Sequence, residues 1–206
     1  KNQGIKWFAT VTSVTEALAA EAAGADVIVA QGVEAGGHRG SFNSEDVSRS
    51  LVGLFSLLPA VVDAVKIPVV ATGGIGDARG IAAALLLGAS AVQIGTGLLR
   101  TPESGITSAW ANAIGSALPE DTVPTRAFSG RLGRSIRTAY TEAAEKGPKP
   151  APYPIQRNLT KAMRESAIDI DTMQAWAGQS AGLARAEPAT ELVRELWTTA
   201  KKLLKS

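Results

Sequence analysis

At 206 residues, 45% apolar and 19% charged, the chain has the make-up of a globular protein with a sizeable core, as one domain or a domain plus a subdomain. Its net charge of +2 gives no ground for a nucleic acid or an anionic membrane as partner. The absence of cysteine excludes disulfides, thiolate catalysis and zinc–sulfur sites, and a cytoplasmic location is expected.

"WFATVT" (7–12) predicts a strand, and "SVTEALAAEAAG" after it a helix with Ser13 and Glu16 as a capping box and Gly24 at its end. "DVIVAQ" (26–31) predicts a second strand, apolar as a strand covered on both faces must be. A glycine-rich loop leads to a helix expected around 57–65 with Pro59 in its first turn. "IPVVATGG" (67–74) is the third strand, Asp77 caps a helix through Leu87, Gly88 stops it, and "SAVQIGTG" (90–97) is the fourth. The uncharged run from Gly80 to Leu99 has membrane length, but its glycines and polar residues read better as helix then strand. The opening "KNQGIKWFAT" has no signal-peptide core. "AAGADVIVAQG" and "LLGASAVQIGTG" repeat a helix end, a strand and a glycine turn, the rhythm of βα units, in either a doubly wound sheet or a barrel.

The second half differs. Residues 100–165 are rich in proline and predict helices without a clear strand, and "PKPAPYPIQ" (148–156) predicts an extended connection. Arg126, Arg131, Arg134 and Arg137 form the densest basic cluster, read as a solvated or ion-paired face before an anion site. "PATELVRELWTTAKKLLKS" (188–206) is an amphipathic helix with Leu192, Leu196, Ala200 and Leu203 on its buried face, expected to pack on the α/β part.

Three strands end in glycine turns, "QGVEAGGH", "ATGGIGD" and "QIGTG", where parallel sheets and barrels gather ligands. Gly73 and Gly74, with Gly95 and Thr96, are placed to offer backbone N–H groups to a phosphate, helped by a helix N-terminus; the other reading is tight turns alone. Gln31 and Gln93 fall at strand ends, either against a heterocyclic ring or satisfied by backbone. His38, the single histidine, suits acid–base work or anion binding, against a plain surface role. It could pair with Glu34. Without cysteine or a carboxylate cluster, no metal site is expected. Tyr140 and Tyr153 read equally as pocket lining or packing.

"QGVEAGGHRG" and "IPVVATGGIGDARGIAAALLLGASAVQIGT", followed by "RAFSGRLGR", "APYPIQ" and "WAGQSAGLA", resemble the flavin-dependent nitronate monooxygenases (2-nitropropane dioxygenases) over essentially the whole chain. The resemblance implies an α/β fold, a (β/α)8 TIM barrel with an added helical substrate domain, binding FMN. It implies Gln31 and Gly36 against the flavin, with Gly73, Gly74, Gln93, Gly95 and Thr96 around its phosphate. His38 would be catalytic, taking a nitroalkane proton or holding the nitronate, which dioxygen oxidises to a carbonyl compound and nitrite. The family's "APM"-type motif and four further strands would precede residues 7–12. The chain is therefore expected to be the C-terminal half of the barrel (1–99), the substrate domain (100–180) and a closing helix (181–206). Such a piece would pair with the missing barrel half or a second copy. Two alternatives stay open: an NAD(P)H-dependent flavin reductase of the quinone or enoyl-ACP type, which shares the histidine motif, and a noncatalytic piece that only associates with a partner.

Overall fold

The computed structural model describes residues 4–44 and 47–205. Its strands are β1 (Phe8–Val11), β2 (Val27–Gln31), β3 (Gly37–His38), β4 (Val69–Thr72), β5 (Ala91–Gln93), β6 (Thr122–Thr125) and β7 (Gly133–Ile136). Its helices are α1 (Val14–Ala22), α2 (Leu54–Ala64), α3 (Ala78–Leu86), α4 (Ser108–Ser116), α5 (Ala139–Lys146), α6 (Ile155–Leu159), α7 (Lys161–Ser166) and α8 (Ala189–Leu203). They fall into two units. One takes the chain up to Ala35, Arg39–Ile94 and the segment from Thr190; the other takes Gly36–His38 and Gly95–Ala189.

In the first unit, β1, β2, β4 and β5 form a parallel sheet in chain order. Each strand is added on the same side of its predecessor, as in a (β/α) barrel wall; a doubly wound sheet would reverse direction. The register gives the sheet two unlike faces. Ala9, Val11, Ile28, Ala30, Val69 and Ala71 share one face and are all buried. Burying the larger of these contributes roughly 1.5–3 kcal/mol each. Phe8, Thr10, Val29, Val70 and Ala91 point the other way, with Phe8 exposed on edge strand β1 and Ala91 exposed on edge strand β5.

The helix signals work largely as the sequence predicts. Ser13 Oγ accepts from Glu16 N–H at 3.2 Å, although the Glu16 carboxylate turns to Thr12 N and Oγ1 and to Phe42 N, each at 2.7 Å. The repeated helix end has a common geometry. Gly24 and Gly88 take φ of 93° and 97°, and Ala25 N and Ala89 N each reach back five residues to Ala20 O and Ala84 O. One helix start differs from expectation. α2 begins at Leu54, so Pro59 sits in its interior. The cap is remote: both Glu34 carboxylate oxygens accept from Leu54 N–H, at 2.9 and 3.1 Å. In α8, Leu192, Leu196 and Ala200 are buried, whereas Leu203 is exposed. No helix among the described residues is long and apolar enough to cross a membrane.

The second unit corrects the expectation of no strand. β6 and β7 pair antiparallel, and β3 joins β7 to complete a three-stranded sheet. β6 carries Pro124 at the sheet edge, where a missing N–H costs no ladder bond. Ile114, Ala117, Ile136, Met173, Ala175, Ala177, Ala181 and Ala184 form the adjoining core. The extended connection expected over 148–156 holds as far as Pro154, but Ile155 and Gln156 already belong to α6, which starts just after the last proline.

Asp77 tests the capping logic. Its carboxylate accepts from Arg79 N (2.9 Å), Gly80 N (3.1 Å) and Arg79 Nε (2.7 Å). Burial alone would raise its pKa, but these bonds outweigh it and the net shift is downward. A depressed carboxylate stabilises the fold above its unfolded pKa, and that contribution disappears as pH falls through the folded value. Asp77→Ala should cost about 1 kcal/mol at neutral pH, with Asn retaining most of the cap. Urea denaturation should show the Ala deficit shrinking in acid.

Candidate active site

The carboxyl end of the parallel sheet carries a polar row. Gln31, Thr72 and Gln93 share one register position across β2, β4 and β5, on the face opposite Ala30 and Ala71. Gln31 is buried, and its Oε1 accepts from Gly40 N–H at 2.8 Å. Gly40 lies over this face because it is glycine; a Cβ there would stand 2.5 Å from Thr10 Cγ2. Thr72 Oγ1 donates to Gln93 O at 3.0 Å, while the Gln93 residue is exposed. The loop after β2 is fastened by a residue that the sequence reading passed over. Arg39, 3% exposed, donates to three carbonyls, Gly32 (2.6 Å), Gln31 (3.0 Å) and Ser50 (2.7 Å).

Gly73 and Gly74 follow β4 with φ of 100° and 70°. A Cβ on Gly73 would meet Ala35 N at 3.0 Å, so close approach and conformation both require glycine. Among the described residues neither glycine's N–H has an acceptor. Consecutive turns of this kind point N–H groups into a concavity that suits an anion. In the first turn of α3, the Arg79 and Gly80 N–H groups are already bonded to Asp77 Oδ1.

In the second unit, Gly36, Thr96 and Ala177–Gly178 come together. Thr96 Oγ1 accepts from Gly178 N–H at 2.9 Å, and a Cβ on Gly36 would stand 2.6 Å from Gly178 N. Gly95 opens a 3-10 turn over Thr96–Leu98, and a Cβ there would meet nothing within 4 Å. Neither Gly95 N–H nor Thr96 N–H has an acceptor among the described residues.

His38 sits in β3 opposite Gly133. Its Nε2 lies 2.7 Å from Ser129 Oγ, its ring 5.1 Å from the Trp176 ring and 6.3 Å from the Tyr153 ring. Gly133 makes room for this arrangement, since a Cβ would stand 3.0 Å from the Trp176 ring. Phe128, fully buried, backs Trp176 at 5.8 Å. Burial pushes the imidazole below its ordinary pKa of 6.5, and the charges of Arg131 and Arg157 push it further. The ring is therefore neutral at pH 7, fit to accept a proton. Of the basic cluster, Arg134 is buried on Thr122, Arg126 donates to Gly130 O, and Arg137 reaches Glu145 at 4.0 Å. Ser129 and Trp176 were not singled out from spacing, although both lie within the segments "RAFSGRLGR" and "WAGQSAGLA". Among the described residues no group of three or more His, Asp or Glu is placed to hold a metal.

Two measurements follow. Gly36→Ala should lower stability by about 1–3 kcal/mol, read from thermal melts, because the backbone of Ala177 and Gly178 must move. Proton NMR of the single histidine should give a midpoint below 6.5, and Arg157→Gln should raise it. A lowered histidine pKa makes the unfolded state the better proton binder, so stability should drop as pH falls below 6.5 and level off beneath the folded midpoint.

The nitronate monooxygenase family model matches residues 1–199. Probable nitronate monooxygenases from Staphylococcus aureus strains MSSA476 and JH9 are each 44% identical over 200 residues, which is 95% of this chain and 56% of theirs. Nitroalkane oxidase from Streptomyces ansochromogenes aligns with a TM-score of 0.91 at 43% identity, over 98% of this chain and 59% of that one. FabK from Thermotoga maritima aligns at 0.82 and 32% identity, over 99% and 63%. The chain thus spans 56% of the length of these curated relatives, and over that span it belongs to the nitronate monooxygenase family.

Proposed function

We propose that the protein oxidises alkyl nitronates, and nitroalkanes after removal of a proton, with FMN as cofactor and dioxygen as oxidant, giving a carbonyl compound and nitrite. The observation that carries this reading is His38, a neutral imidazole in a half-buried aromatic setting with two arginine charges near it. A neutral ring can take a proton from carbon, and the positive surroundings favour the anion that results. Arg157 is exposed, and its guanidinium has no hydrogen-bond or ion-pair partner among the described residues, so its charge is available to an incoming anion.

The residues present fit FMN. Gly73 and Gly74 offer unengaged N–H groups in a turn closed to any side chain, and they would hold the phosphate, with Gln93 one strand over in the same sheet. Gln31, at the polar end of that sheet, would lie along the flavin. When bound, FMN supplies the electron acceptor and the route to dioxygen. The protein's own work is to fix these backbone donors, to keep His38 neutral and oriented, and to wall the site with Trp176 and Tyr153. A cytoplasmic location and a small-molecule substrate go with this proposal, as does association with the rest of a barrel or with a second copy.

His38→Ala in FMN-loaded protein should leave the flavin spectrum intact while lowering nitroalkane turnover by about 10²–10⁴-fold. Turnover within a factor of two of the original protein would reject the catalytic assignment.

A further inference from the structure

We propose that Glu34 is a positioning residue for the cofactor phosphate, a clasp that holds the Gly73–Gly74 turn rigid. The ligand is the FMN of the function proposed above, on which this role rests; the clasp itself stands on packing within the first unit. Three glycines from three places in the chain make room for this one side chain. A Cβ on Gly32, after β2, would run into Glu34 Oε2, and one on Gly53, ahead of α2, would stand 3.3 Å from Oε1. A Cβ on Gly74, after β4, would stand 3.3 Å from Glu34 Cβ and 3.4 Å from Cγ. Gly53 has φ of −66° and Gly32 is not among the glycines of positive φ, so at both it is space that calls for glycine.

The Gly73–Gly74 turn needs support from outside. Among the described residues neither N–H has an acceptor, so neither glycine is tethered through it. Glycine also loses more conformational freedom on ordering than any other residue. The turn after β2 supplies the support. Ala35 N–H donates to Gly32 O at 3.2 Å, and a Cβ on Gly73 would stand 3.0 Å from Ala35 N and 3.1 Å from Gly32 O. Glu34 completes this wall against Gly74. Its head is pinned, because both carboxylate oxygens accept from Leu54 N–H at 2.9 and 3.1 Å. Its Cδ stands 3.7 Å from the Gly74 Cβ position, further than Cβ and Cγ, so methylenes face the turn. The charge lies instead at the N-terminus of α2, where helix N–H groups favour it. Glu34 thus braces the turn without taking its donors. Donors already held in place bind an anion without a further ordering cost.

Riboflavin is FMN without its phosphate, so the ratio of the two affinities isolates the phosphate contact from general damage to the fold. Titration with each flavin, read by quenching of its fluorescence, should show Glu34→Ala lowering the FMN-to-riboflavin affinity ratio by about tenfold. Glu34→Gln keeps the methylenes and one acceptor, and should hold the ratio within about twofold. Nitrogen-15 relaxation of the ligand-free protein reads the clasp directly. The Gly73 and Gly74 amides should have order parameters of about 0.85, dropping below about 0.6 in Glu34→Ala, with Gly24 and Gly88 unchanged. A mobile Gly73–Gly74 turn in the original protein would overturn the clasp even if the alanine variant failed to fold. A folded Glu34→Ala protein with a rigid turn, or with an unchanged or increased ratio, would overturn the role of Glu34. If the original protein binds FMN no more tightly than riboflavin, the phosphate reading fails, and the order parameters still decide whether Glu34 holds the turn.

Discussion

Two residues of β3 set the surroundings of the single histidine. Gly37 and His38 leave the loop after β2 and pair with Gly133 and Arg134, almost a hundred positions further along. That short ladder places the single histidine beside Ser129 and beneath Trp176, in surroundings that a local segment could not supply. Burying an imidazole disfavours its charged form, and two nearby guanidinium groups disfavour it again. Neutrality here is imposed by position, and position is imposed by backbone pairing.

The glycines of the two units divide into two kinds. Gly133, Gly36 and Gly40 are small because another group occupies the space of a side chain: an indole ring, the backbone of Ala177–Gly178, and Thr10 respectively. Gly73 and Gly74 are required for conformation as well, with positive φ and N–H groups left unengaged among the described residues. The first kind builds the scaffold, and the second presents donors. Arg39 links the two roles, since its fork on Gln31 O, Gly32 O and Ser50 O fixes the start of the histidine loop at the end of the sheet.

Much of this was legible in the sequence where the controlling contact is local. Ser13, Asp77, Gly24 and Gly88 sit within a turn of the helices they start or stop, and the parallel strands show their apolar runs directly. Legibility ended where the partner is distant. α2 starts early because Glu34 caps it from twenty residues away, and β6 and β7 are strands because one supplies the edge that tolerates Pro124. His38 could be named from its motif, but Ser129 and Trp176 become its neighbours only through the fold. Glu34 caps the N-terminus of α2 through both carboxylate oxygens.

The family is established by the match over residues 1–199, while the reaction remains the proposal made from His38 and its surroundings. Nitronate oxidation and pyridine-nucleotide oxidation would use the same flavin and differ in which donor reduces it. The most direct measurement is therefore anaerobic mixing of FMN-loaded protein with an alkyl nitronate, and separately with NADH, followed by the loss of flavin absorbance. The account predicts rapid bleaching by the nitronate and no comparable reaction with NADH. Rapid bleaching by NADH with none by the nitronate would contradict it.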